Sequence, residues 1–447
     1  MSHAPPRAAL PVEAGEHALL WLMVANGVGL LLAVLLLVPE LSTLLAPVSY
    51  GQLMPVHLNL QLYGWCALPL VAILFRYLVP GQGPTALPRA ALLGWSAMLG
   101  FGAASWLAGR TSGKVFLDWR GPARWLLVAE LALLEGALAW AWWRGPRRDL
   151  ARGLVLLLLA GVPVALAVAT DPTVYPPINP DTGGPTGGSL LGSSLGIVGL
   201  FVATPHLLGL ARRPARRPGT PAAVLLLAIH ALAFGLLDPG DHSHRELAQN
   251  LAILSLLPWL PGLARYLSGY TWPAAARRWL GAFGAWAALL VGTAALSFQP
   301  GVLDRLKFTH GLVAHAHLAM AGMLTAFLML VLAGLGEGTG LAEAVAAPAA
   351  FWRWQLGSAL HVAVLAAVGW AEGADPTVVI RGGGMVTAAY LLRALGGVAM
   401  LSASVTWWRR VRDAAGRQAA APAGTAAQAA EQQAPGARAP GDWREAA

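Results

Sequence analysis

Twelve apolar runs recur through this chain between Ala18 and Trp408, each close to the ~20 residues that a helix needs to cross a bilayer. They lie near 18–38, 55–79, 88–108, 123–143, 152–170, 188–211, 221–237, 248–268, 278–298, 308–335, 352–370 and 384–408. Inside lipid a backbone must satisfy its own hydrogen bonds, and runs of this length do so as helices. The expected fold is therefore all-α, a polytopic membrane bundle of twelve transmembrane helices. Charged residues make up only 11% of the chain, against about 25% in an average soluble domain. The first run lacks the short apolar stretch and cleavage site of a removed signal peptide, so it reads as a retained span.

The net charge of +9 follows from the same topology. Basic residues gather in alternate loops: Arg144, Arg147, Arg148 and Arg152; Arg212, Arg213, Arg216 and Arg217; Arg277 and Arg278; Arg409, Arg410 and Arg412. The loops 39–53, 171–187 and 238–247 hold almost none. Lys and Arg mark cytoplasmic loops, which puts both termini in the cytoplasm. The basic excess then calls for no nucleic-acid partner. The one cysteine, Cys66, sits inside the second run and excludes an internal disulfide framework. Residues 1–16 read as a short polar lead, 17–413 as one membrane domain, and 414–447, rich in Ala, Gln, Pro, Gly and Glu, as a disordered cytoplasmic tail.

The histidines carry the chemistry. Thr309-His310-Gly-Leu-Val-Ala-His315-Ala-His317 opens the tenth run. An ionisable residue within a span is a functional candidate, and imidazole is a common metal ligand. Residues two apart on a helix stand about 200° around its axis. His315 and His317 thus face opposite sides and serve two centres rather than one. Two hemes flanking one helix is the simplest arrangement that uses this geometry; two polar residues lining a cavity is the plainer alternative. By depth, His57 in the second run, His315 and His317 in the tenth, and His242 and His244 at the mouth of the seventh and eighth share one outer layer. A bis-imidazole heme needs facing histidines at equal depth on two helices. His57 and one of the tenth-run pair meet that need. His206, His230 and His361 fall elsewhere and read as histidines hydrogen-bonded within the bundle. His3, His17 and His310 receive no role, although His310 stands close to the pair.

With these residues in place the chain resembles catalytic subunit I of the heme–copper oxidases, most closely the cbb-type (C-family) cytochrome c oxidases. The resemblance runs across all twelve spans. It is carried by Gln52-Leu-Met-Pro-Val-His57-Leu-Asn-Leu, by Thr111-Ser-Gly-Lys114 with Asp118-Trp119, by His315-Ala-His317 followed by Gly322, and by Tyr390-Leu-Leu-Arg393-Ala-Leu-Gly-Gly. It implies that His57 and His317 ligate a low-spin heme b and that His315 is the proximal ligand of a second, high-spin heme. It also places Asp118 near heme propionates or a calcium ion. It further implies a bacterial inner-membrane protein of the respiratory chain, surrounded by lipid, taking electrons from a cytochrome c-type donor or a c-heme subunit and acting on a diatomic gas. The sequence has no Cys-x-x-Cys-His motif, so it attaches no covalent heme itself.

The chain departs from the family at the copper ion. Where the family places a histidine early in span six, this chain reads Leu191-Gly192-Ser193-Ser194. Where it places two adjacent histidines, this chain reads Asp241-His242-Ser243-His244. Span seven has no tyrosine. Copper is therefore not expected, and Asp241, His242 and His244 are the candidate ligands for a different second metal, iron or zinc. Three classes of function follow: a divergent oxidoreductase acting on O2 or NO; a non-catalytic heme b electron carrier or gas sensor; and a transporter or structural subunit, against which the paired histidine ligands argue.

Overall fold

The computed structural model describes residues 9–79, 85–146, 148–174, 190–213, 219–237 and 246–420. The described residues are helical, with one isolated bridge between Arg212 and Tyr270 and no named strand. In chain order the apolar helices are α1 (Leu10–Leu37), α2 (Tyr50–Leu78), α3 (Ala86–Leu107), α4 (Pro122–Arg144), α5 (Leu150–Ala169), α6 (Leu190–Leu207), α7 (Thr220–Leu237), α8 (Asn250–Ser268), α9 (Ala274–Ser297), α10 (His310–Leu335), α11 (Pro348–Ala374) and α12 (Gly384–Ala420). By length and composition ten of them can cross a membrane; α6 and α7 are the shorter apolar helices at the sixth and seventh runs. The fold is thus an all-α, multi-pass membrane bundle.

Local chemistry sets the helix starts nearest the site. The α2 helix opens on a capping box: the Gln52 amide donates to the Ser49 hydroxyl, and the Ser49 amide donates to the Gln52 side chain. The α10 helix opens on Thr309, whose hydroxyl accepts from the Gly311 amide at 3.0 Å. Pro348 takes the first turn of α11, where its missing N–H costs nothing.

The helices α2 and α10 form the axis of the bundle. Two-thirds of the central window of each is buried, against under two-fifths in any other span. Thr325 through Ala333 of α10 are buried without a break. A helix apolar on every face belongs inside a larger assembly. Around this axis α1, α11 and α12 close one side: α1 packs on α2 and α12, α10 on α11, and α11 on α12. The α11–α12 crossing is close because it meets at glycines. A Cβ on Gly357 would stand 2.8 Å from the Gly396 carbonyl oxygen, and one on Gly396 equally near that of Gly357.

Both axial helices leave α-helical geometry at corresponding points. Leu60–Cys66 in α2 and Leu318–Leu324 in α10 are π-helical, and each begins within three residues of a histidine, His57 or His317. The wider turn shows in the hydrogen bonds, with the Ala67 amide reaching Leu62 O and the Thr325 amide reaching Met320 O. The two irregular segments are joined by the Trp65 indole N–H, which donates to the Thr325 hydroxyl at 2.9 Å. Such π-turns are rare in helices and concentrate at functional sites.

Candidate functional site

A cavity of about 530 Å³ lies between α1, α2, α10, α11 and α12. That volume falls within the 300–1,000 Å³ typical of cofactor and ligand pockets. Its wall is mostly apolar, with His57, His317, His361, Arg393, His310 and Glu372 among the polar residues that line it.

His57 is held by α1. Its Nδ1 lies 2.8 Å from the Ala25 carbonyl oxygen, which can only accept, so Nδ1 carries a proton and, in the neutral ring, Nε2 keeps its lone pair. One turn along α1, Gly29 makes room for the ring: a Cβ there would stand 2.6 Å from His57 Cε1 and 2.8 Å from Nδ1. His317 is fixed in the same sense by its own helix, its Nδ1–H donating to Val313 O at 2.8 Å. Donation of the second ring N–H to a carbonyl is the arrangement that orients metal-bound imidazoles and raises their basicity. Two neutral histidines on the two axial helices thus border one cavity, each with Nε2 left for a ligand.

The third imidazole, His361 on α11, was not among the ligand candidates read from sequence. Its ring centre is 4.7 Å from that of His317 at an interplanar angle of 42°. Its Nδ1–H donates to Arg393 O at 3.3 Å, and its buried Nε2 has no partner among the described residues. Counting along a run placed His361 away from the outer histidine layer; packing against the Gly357–Gly396 crossing brings it to the cavity instead. Gly357 and Gly396, four residues before His361 and three after Arg393, were the available signal. Arg393 is also buried, and its Nε has no partner among the described residues. A buried, unpaired polar atom costs roughly 1–3 kcal/mol. Arg393 keeps one nitrogen unpaired beside its hydrogen bond with Tyr50, and this buried cation, with the Nε2 atoms of His57 and His317, suits an occupant with both an anionic edge and a metal; a heme, with its carboxylates and iron, has both.

The remaining candidates stand elsewhere. His315 does not border this cavity and makes no hydrogen bond to a described residue. His310 donates from its backbone N–H to Glu372 Oε2 at 2.6 Å, with its ring Nδ1 2.9 Å from the same oxygen. His206 Nε2 is 3.1 Å from the Tyr270 hydroxyl, whose own proton goes to the Tyr266 hydroxyl, and His230 is bonded on both nitrogens, to Ser255 Oγ at 2.8 Å and the Trp259 indole at 3.1 Å. Both sit as bundle histidines. Asp118, between α3 and α4, is buried and commits Oδ1 to the Ser112 backbone N–H and to the Ser112 hydroxyl at 2.7 Å. Burial pushes its carboxyl above the usual range, with those two donors pulling the other way. Nearby Asp171, bonded by the Thr173 hydroxyl and amide and paired with Arg124 at 2.9 Å, is held down at about 2. Among the described residues no three His, Cys, Asp or Glu side chains cluster as a metal site. Asp241, His242 and His244, and the side chain of Ser193, lie outside the described residues.

No family model and no curated protein matches the sequence. The three-dimensional comparison does find a match. The chain is similar to the solved structure of a heme–copper terminal oxidase dimer, with a TM-score of 0.53 over 93% of this chain and 85% of that one, at 13% identity. At that identity the likeness establishes a shared fold.

Proposed function

We infer that this chain is a membrane heme protein of the terminal-oxidase kind, passing electrons from a bis-histidine low-spin heme b to a high-spin heme that reduces or binds O2 or NO. The observation that carries the reading is the pair His57 and His317. On the two axial helices, each imidazole is tethered through Nδ1 to a backbone carbonyl and turned toward one cavity. Iron in a heme supplies reversible one-electron transfer. The chain supplies the rest. Ala25 O and Val313 O keep both ligand nitrogens unprotonated, and Gly29 leaves His57 its room. Arg393 gives a carboxylate edge its counter-charge, and the apolar wall excludes water. His315, on the other face of α10, is the proposed ligand of the high-spin heme, with the membrane, the cytochrome c-type donor and the cytoplasmic termini as the sequence implies.

A second reading, a heme b electron carrier or gas sensor without a second metal, is favoured by one specific observation. Ser193-Ser194 and the split Asp241-His242-Ser243-His244 stand where the resemblance places three copper-binding histidines. Reduced-minus-oxidised spectra of the purified protein, with and without carbon monoxide, test the heme assignment common to both readings. Sharp low-spin bands plus a carbon monoxide response are expected. Protein from a heme-replete host that shows no heme absorbance rules both out.

A further inference from the structure

Three imidazoles border the cavity, and the reading above uses two. His361 is 6% exposed, its Nδ1–H is given to Arg393 O, and its Nε2 is closed off without a partner among the described residues. With Nδ1 as the donor, Nε2 presents a lone pair, which only an N–H, an O–H or a metal satisfies. Of the three histidines read from sequence as bundle histidines, His206 and His230 both bond to neighbouring side chains, and His361 alone keeps a buried ring nitrogen without one among the described residues. The His317 ring is 4.7 Å away, held by the same kind of carbonyl tether, and it borders the same cavity.

The geometry points to His361 as a reserve axial ligand, able to replace His317 opposite His57 on the same iron. This rests on the reading that His57 and His317 hold a heme. In the exchange the dative bond from His317 Nε2 breaks and one from His361 Nε2 forms. Both imidazoles stay neutral and the iron keeps its oxidation state, so no oxidant, reductant or proton donor is required. The two differ in readiness. His317 carries its tether on its own helix, one turn back. His361 hangs between α11 and α12, with its Nε2 enclosed, so it serves only when His317 has left. The Gly357–Gly396 contact, which admits the His361 backbone so close to α12, keeps the reserve ring within reach.

The test is electron paramagnetic resonance and optical spectroscopy of the full-length protein as wild type, His57→Ala, His317→Ala, His361→Ala and the His317→Ala/His361→Ala double variant. His317→Gln is read in the same way if His317→Ala does not accumulate. The expected result is that His317→Ala keeps at least half of the wild-type low-spin bis-imidazole signal, with altered g-values. His361→Ala keeps all of it. The double variant loses it, binds one further carbon monoxide per protein, and regains six-coordination on addition of free imidazole. A His317→Ala protein whose iron is five-coordinate overturns the proposal, as does a double variant that stays low-spin or that imidazole does not restore. Failure of the underlying assignment looks different: the wild type itself has no low-spin signal, or His57→Ala leaves that signal intact.

Discussion

At the scale of single residues, the site depends on small groups placed against large ones. His57 is the histidine that α2 brings to the cavity, and Ala25 and Gly29 of α1 face it. His57→Ala is therefore expected to abolish the low-spin spectrum while leaving part of the heme content, measured as heme per protein beside the reduced-minus-oxidised difference. Gly29→Leu tests the same ring from behind. Even its Cβ would stand 2.6 Å from His57 Cε1, so the imidazole must turn away. The low-spin signal should fall at least several-fold although every histidine remains; an unchanged signal would show that the ring needs no such room. Of these residues, His57 and His317 were legible in the sequence, because an imidazole in an apolar run is conspicuous. Gly29 was not, since nothing in a run of Val, Gly and Leu says which face meets a neighbouring ring. His361 was equally hidden: its place depends on how closely α11 and α12 approach, which the histidine alone does not reveal.

At the scale of helices, α10 presents His317 to the cavity and keeps His315 off it. If His315 holds a five-coordinate heme, carbon monoxide should shift the spectrum of the reduced wild-type protein, and His315→Ala should remove that shift while sparing the low-spin bands. A variant that loses both together would mean the two histidines do not serve separate centres. The π-helical segments of α2 and α10 carry a second prediction. Thr325→Val keeps the shape but strands the Trp65 indole N–H, which is buried. An unpaired buried donor costs roughly 1–3 kcal/mol. The expected result is a lower melting temperature, followed by heme absorbance or intrinsic fluorescence, and an unaltered melting curve would count against the link between the segments. The existence of both helices was readable from their apolar length. Their π-turns were not, because a wider turn reflects packing on neighbouring helices and leaves no mark in the apolar period.

At the scale of the whole molecule, the order of apolar helices follows the order of apolar runs, since the length needed to cross a bilayer is a property of local sequence. The position of the cavity is not local, because it joins α1 and α2 to α10 through α12 across most of the chain. The copper question also belongs here. Loss of a single supporting contact at a metal site typically costs 10–100-fold in affinity or activity, and Ser193 stands where the resemblance calls for an imidazole. Copper well below one per protein is expected by elemental analysis, with oxygen uptake at least 10–100-fold slower than in an intact oxidase. One copper per protein together with rapid cyanide-sensitive uptake would reverse that expectation.

The paired π-turns also bear on how this bundle can change. Each residue of an ordinary helix advances the facing direction by about 100°, so one residue gained or lost normally swings everything beyond it off its partners. A wide turn absorbs such a step where it occurs. In α2 and α10 it begins within three residues of the histidine, and Gln61, Trp65 and Cys66 of one helix and Met320 and Ala321 of the other line the cavity from within it, ahead of the tightly packed remainder. The two halves of each helix are thereby released from a common phase. The histidine of each helix can be re-aimed on one side of the break while the packing on the other side stays in register.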